Sequence, residues 1–220
     1  MINIIPTVDH EIFGNGRGHI ENNMINPLKK MANIFDKNGV SLTIFPDITE
    51  IMSFKKYSSN LQKYYSKDIY QEVKEQLLDL YSKGHDIQLH VHPQWSDATY
   101  KNNNWILPKR NRKIDDFNAD ANFNSFSFLK ENKTFLENMI RDIDKNYEII
   151  AARLTNQGWT QPSKKVSREL IQLGIKYHSL SNNTNKLGLP YWPILNDSGE
   201  ILYEIPIFTV NRSIINYFSF

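Results

Sequence analysis

Short apolar runs alternate along this chain with longer stretches whose apolar side chains recur every three or four positions. The first pattern predicts buried strands and the second predicts amphipathic helices. Residues 2–8 form such a run and end at Asp9-His10-Glu11, a strand with polar residues at its C-terminal tip. Gly14, Gly16 and Gly18 then permit tight turns. Asn26-Pro27 opens a helix, Asn as cap and Pro in the first turn, with Leu28, Met31, Ile34 and Phe35 on one face. Residues 40–45 read as the second strand, ending at Pro46-Asp47, and residues 48–66 as broken helix. Asp68 caps a clearer helix that Gly84 stops, with Val73, Leu77, Leu78 and Tyr81 as its apolar face. Residues 86–92 are the third strand, 126–143 a helix and 148–153 the fourth strand. Gln161-Pro162-Ser163 starts a further helix, and strands follow at 175–179 and 201–208. Residues 96–122 lack clean periodicity and read as an insert, a lid or a disordered loop in one domain spanning residues 1–220.

Strands alternating with helices argue for α/β architecture around a parallel sheet or barrel, with the site at the C-terminal strand ends. The polar residues at those ends are Asp9, His10 and Glu11, then Asp47, His90, His92, Arg153 and His178. Residues two apart on a strand point the same way, so Asp9 pairs with Glu11 and His90 with His92. Should the first and third strands be near neighbours, two carboxylates and two imidazoles meet. Such a set can hold zinc or a similar divalent ion with a position open for water or a carbonyl oxygen. Asp9 suits either a ligand or a general base. Arg153 suits an orienting partner for Asp9 or a substrate carboxylate, and equally a solvated strand end. Trp95 and Trp159 follow the histidine and arginine segments, where they can stack on a sugar or close a core.

Composition narrows the alternatives. Lys and Arg number 26 against 24 Asp and Glu, so no basic excess points to nucleic acid. There is no cysteine, which removes disulfides, thiolate sites and cysteine nucleophiles. No stretch approaches the roughly 18 apolar residues of a membrane span, and the N-terminus lacks the pattern of a signal peptide. A cytoplasmic location is the expectation. The glycine run lacks the ending of a phosphate loop, and no G-x-S-x-G elbow marks a serine hydrolase.

Three segments resemble the polysaccharide deacetylases, the chitooligosaccharide-deacetylase homology group of carbohydrate esterases. Thr7-Val8-Asp9-His10-Glu11 is similar to the first motif of that family. Leu89-His90-Val91-His92-Pro93-Gln94-Trp95 resembles the second, in the branch written L-H-x-H-P-x-W. Ala152-Arg153, with Gly158-Trp159 and Gln161-Pro162-Ser163, resembles the third. The resemblance implies a distorted (β/α)7-type barrel, which a chain stopping soon after its sixth strand can leave incomplete. It implies metal-dependent hydrolysis of an N-acyl group on a sugar or nucleotide-linked sugar, in surface polysaccharide biosynthesis. Asp9 matches the general base, Arg153 its partner, and Asp9, Glu11, His90 and His92 the ligands of a metal, with zinc expected. His178 is the candidate acid, and Trp95 and Trp159 are candidate substrate contacts.

The motifs also depart from the family. The usual second acid aligns with His10, and the usual second histidine aligns with Gln94. The third motif continues Leu154-Thr155-Asn156, and the late Leu-x-His motif is not evident after residue 181. A degenerate carbohydrate-binding protein or an assembly partner on the same barrel is therefore the alternative reading.

Overall fold

The structure is a computed structural model that describes residues 5–12, 16–107, 113–118, 122–154, 162–181, 193–195, 199 and 201–207. It is a mixed α/β fold built on parallel strands. β1 (Thr7–His10), β2 (Thr43–Pro46) and β3 (Asp86–Ile87) form one parallel ladder in that order. β4 (Leu89–Val91), β7 (Ala151–Leu154), β8 (Tyr177–Ser181) and β10 (Ile201–Ile207) form a second parallel run, with β9 (Pro193–Leu195) antiparallel on β10. A hairpin, β5 (Thr99–Lys101) with β6 (Asn104–Ile106), stands apart. The helices are α1 (Asn26–Lys37), α2 (Ile48–Lys56), α3 (Ser58–Tyr65), α4 (Ile69–Ser82), α5 (Ile114–Phe117), α6 (Ser125–Ile140) and α7 (Lys164–Gln172).

The helix starts follow from their caps. Asp47, Asp68, Asn124 and Ser163 each accept a main-chain N–H in the first turn of α2, α4, α6 and α7. Asn26 differs from its expected role as a cap. A π turn over Glu21–Ile25 runs straight into α1, so Asn26 lies inside continuous helical backbone. Pro27 has no N–H to give an ordinary helical bond there, and the wider turn accommodates it. The insert at 96–122 opens with the hairpin, which sequence periodicity did not reveal. Trp105 of that hairpin packs against Phe54, Tyr57, Trp95 and Tyr100. Gly16 lies beneath it at φ +71°, where an added Cβ would come within 2.8 Å of the Trp105 Cβ. That close approach is what the central glycine of the run provides.

Residue 88 hands the third strand from one ladder to the other. The Gln88 N–H donates to the Ile44 carbonyl of β2 (2.8 Å), while its side-chain Oε1 accepts from the N–H groups of Ile150 (3.1 Å) and Ala151 (2.8 Å). Its Nε2 donates to Asp86 Oδ1 at 2.9 Å. A parallel bridge between Asp47 and His90 continues the junction at the strand tips. One face of the strands carries Ile44, Leu89, Val91, Ala152 and Leu202 into the core formed with Ile51, Phe54, Val73, Leu77, Leu136 and Val166.

The opposite face is curled inward. In a flat sheet β7 would stand three strand spacings from β1, roughly 14 Å. Yet Arg153 of β7 donates to both Thr7 and Asp9 of β1. One arginine cannot cover the flat distance, so the ladders bend until the two strands face each other across the concave side.

Replacing Gln88 with Leu keeps the volume and removes the handover. Two part-buried N–H groups then lose their acceptor, and the expected loss is about 1–2 kcal/mol of stability, read from the urea unfolding midpoint.

Candidate metal centre

His90 and Arg153 are register partners on β4 and β7, so their side chains share the concave face. His92 follows two residues after His90 at the start of a 3-10 turn, Pro93–Asp97, and the two rings lie 4.6 Å apart at near right angles. Glu11 enters from the end of β1. Its Oε2 lies 3.1 Å from His92 Nε2 and 3.6 Å from His90 Nε2. One donor atom from each of Glu11, His90 and His92 falls within 4.8 Å of the others, a group that could hold a metal ion. The first and third strand tips therefore do converge.

The surroundings fit a cation. His90 Nδ1 is hydrogen-bonded to the Arg153 carbonyl, which turns Nε2 toward Glu11. His90 Nε2, Glu11 Oε2 and Asp47 Oδ2 are buried without hydrogen-bond partners. Two imidazole nitrogens with a carboxylate oxygen are a donor set that zinc-type ions take. Behind them Asp47 and Glu50 have no exposed surface, and a second group of donor atoms within 4.8 Å comprises Glu11, Asp47 and Glu50. Burial pushes the Asp47 carboxyl well above its ordinary range, against the pull of His90 and with a further push from Glu11. Burial does the same to Glu50, with Asp47 and Glu11 adding to it. His90 answers these acids: burial alone would lower it, but Asp9, Glu11 and Asp47 together raise it to about 9. The site is thus rich in acidic groups, and they favour the protonated form of His90.

Asp9 sits beside this group and not within it. Expected both as ligand and as base, it joins no group of three donor atoms among the described residues. Its carboxylate is paired with the Arg153 guanidinium and is 40% exposed. The guanidinium is itself held by Thr7 Oγ1 (2.8 Å) and by Ser179 Oγ (2.9 and 3.3 Å), and lies over the Phe45 ring at 4.2 Å.

Two expected site residues are placed elsewhere. His178 pairs in register with Ala152 and Glu204, one residue out of phase with Arg153 and Ser179, so alternation turns it to the helix-covered face. There it is fully buried, with Nδ1 hydrogen-bonded to Glu204 (2.9 Å) and Nε2 facing the Leu154 N–H (3.4 Å). It is a core histidine and not the acid of the site. Trp95 is 1% exposed and packs edge-on against Phe54 and Trp105, so it closes the core and offers no face to a sugar. Its carbonyl accepts from Ser53 Oγ (3.1 Å), which fastens the turn after His92 to α2. Trp159 lies outside the described residues.

Glu50 and Ser179 belong to the assembly without having been expected there. Asp47-Ile-Thr-Glu50 has the spacing of a helix capping box, in which the glutamate would reach back to its own cap. Glu50 instead spans to the segment after β1, where both its oxygens accept from the Ile12 N–H (3.1 and 3.2 Å). Ser179, beside His178 in sequence, becomes visible only when alternation is counted from Arg153.

Comparisons with family models, with curated proteins and with solved structures found no match. Among the described residues no helix is long and apolar enough to cross a membrane.

Arg153→Lys keeps the charge but cannot serve Thr7, Asp9 and Ser179 from one planar fork. The variant is expected to lose about 1–3 kcal/mol in urea unfolding, since the buried Ser179 contacts and the part-buried Thr7 contact go with it.

Proposed function

We propose that the chain is a metal-dependent hydrolase that removes an N-acyl, acetyl-like group from a sugar or nucleotide-linked sugar. Zinc is the ion of this reading, a distorted (β/α) barrel its scaffold, and surface polysaccharide biosynthesis its setting. The observation that carries it is the convergence of Glu11, His90 and His92 beside an Asp9 held by Arg153. The three motif resemblances supply the substrate class, and the inward curl of the parallel strands supports the barrel.

A zinc-type ion, when bound, supplies Lewis acidity toward a carbonyl oxygen and an attacking water. Glu11, His90 and His92 would hold it, the histidines through Nε2. Asp9 is the exposed carboxylate next to this position, and it takes the proton from the attacking water. Arg153 fixes the Asp9 carboxylate through one oxygen and leaves the other for the water. With His178 on the other face, Asp9 is also the residue that returns the proton to the leaving amine nitrogen. The amide C–N bond breaks, and a free amino sugar and a carboxylate leave.

The test has two parts. Chelator-stripped protein titrated with Zn2+ is expected to bind it, and Glu11→Gln, His90→Ala and His92→Ala each to weaken binding by about a hundredfold or more. Asp9→Asn is expected to keep the metal and to lose about 10²–10⁴-fold in acetate release from N-acetylated amino sugars. A wild-type protein that binds no metal, or an Asp9→Asn protein with full activity, overturns the reading. Metal binding with no turnover on any acylated sugar favours a carbohydrate-binding role instead.

A further inference from the structure

We infer that Asp47 is a positioning residue for His92, holding that histidine at its backbone and at its ring so that Nε2 is presented to the cation. The inference rests on the metal-binding reading above and deepens it. Asp47 Oδ1 accepts two main-chain N–H groups, that of Glu50 in the first turn of α2 (3.3 Å) and that of His92 (3.2 Å). One oxygen therefore ties the tip of β2 and the start of α2 to the backbone of a ligand residue. The other oxygen, Oδ2, makes no hydrogen bond and lies 3.6 Å from His92 Nδ1, just beyond hydrogen-bonding length.

The arrangement has an internal comparison. His90 has its Nδ1 on the Arg153 carbonyl, and that contact sets the outward direction of its Nε2. His92 needs the same service, because an imidazole that gives Nε2 to a metal must carry its proton on Nδ1. Asp47 Oδ2 is the carboxyl oxygen facing that atom, and in its ionised form it accepts there. The Gln94 amide nitrogen also lies near it, at 3.2 Å, but an amide nitrogen can only donate, which favours the opposite tautomer. A carboxylate accepts, and a charge-assisted bond to it is the stronger one.

Asp47 is not itself a ligand of the same ion. No group of donor atoms within 4.8 Å joins Asp47 to both histidines, whereas Glu11 belongs to both groups. Asp47 acts from behind His92.

Asp47→Asn separates the two roles. Its amide oxygen can keep the two backbone bonds at Oδ1, while the amide nitrogen replaces the acceptor facing Nδ1 with a donor. Zinc titration by calorimetry of stripped wild-type and variant proteins is expected to show one equivalent in each. The variant should bind about 10–100-fold more weakly, with a urea midpoint close to wild type. Proton NMR of the zinc-loaded wild type, with each ring assigned by 15N correlation, is expected to show exchange-protected imidazole N–H signals from both His90 and His92, besides that of the core His178, and the variant should lose the His92 signal. Unchanged affinity and an unchanged His92 signal overturn this inference while leaving the metal reading intact. So does a wild type whose His92 ring gives no protected N–H signal, a measurement that needs no variant to fold. Two equivalents in the wild type, one of them lost in Asp47→Asn, overturn it as well, because Asp47 is then a ligand of a second ion. A wild type that binds no zinc removes both readings.

Discussion

Buried acidic groups are the constraint around which this molecule is arranged. Asp47 and Glu50 have no exposed surface, and Glu11 approaches them from the neighbouring strand. Carboxylates removed from water must be paired, protonated or neutralised by a cation. The chain responds with N–H groups from Ile12, Glu50 and His92, with two histidines facing Glu11, and with an arginine beside Asp9. These compensations account for the fixed orientation of the histidines. They also account for the depth at which a polar cluster is tolerated next to an apolar core.

The curl of the strands is the second half of the same arrangement. Arg153 reaches from β7 to Thr7 and Asp9 on β1 and to Ser179 on β8, and its flat face rests on Phe45 of β2. A single side chain thereby joins four strands from their concave side. The helices do the complementary work outside, where Leu89, Val91 and Ala152 are sealed by α2, α6 and α7 residues. Strand alternation separates the two functions: one parity builds the core, the other builds the site.

That alternation explains which parts of the molecule were legible in the sequence. Apolar periodicity and the caps at Asp68 and Ser163 located most of the strands and helices, because those signals are local. The pairs Asp9/Glu11 and His90/His92 were readable because spacing of two fixes a common face within one strand. His178 was misread because its parity relative to Arg153 depends on register between strands, which no single segment reveals. Trp95 was misread because the Trp105 hairpin that covers it comes from an insert without periodicity. Asp47 was readable as a polar strand tip, but its contact with His92, and Glu50 altogether, were hidden by a pattern that has an ordinary local meaning, a helix cap, while their partners after β1 and after β4 lie far away in the chain.

The handover at Gln88 has a consequence for how such a site tolerates evolutionary drift. A side-chain amide, and not a run of ladder bonds, couples the strand that bears His90 and leads to His92 to its neighbour β7 at that point. Amides are longer and more pliable than backbone pairing, so small slippage between the halves of the sheet can be absorbed there without unthreading either one. The histidine pair can thus keep its bearing toward Glu11 while sequence around the outer strands diverges.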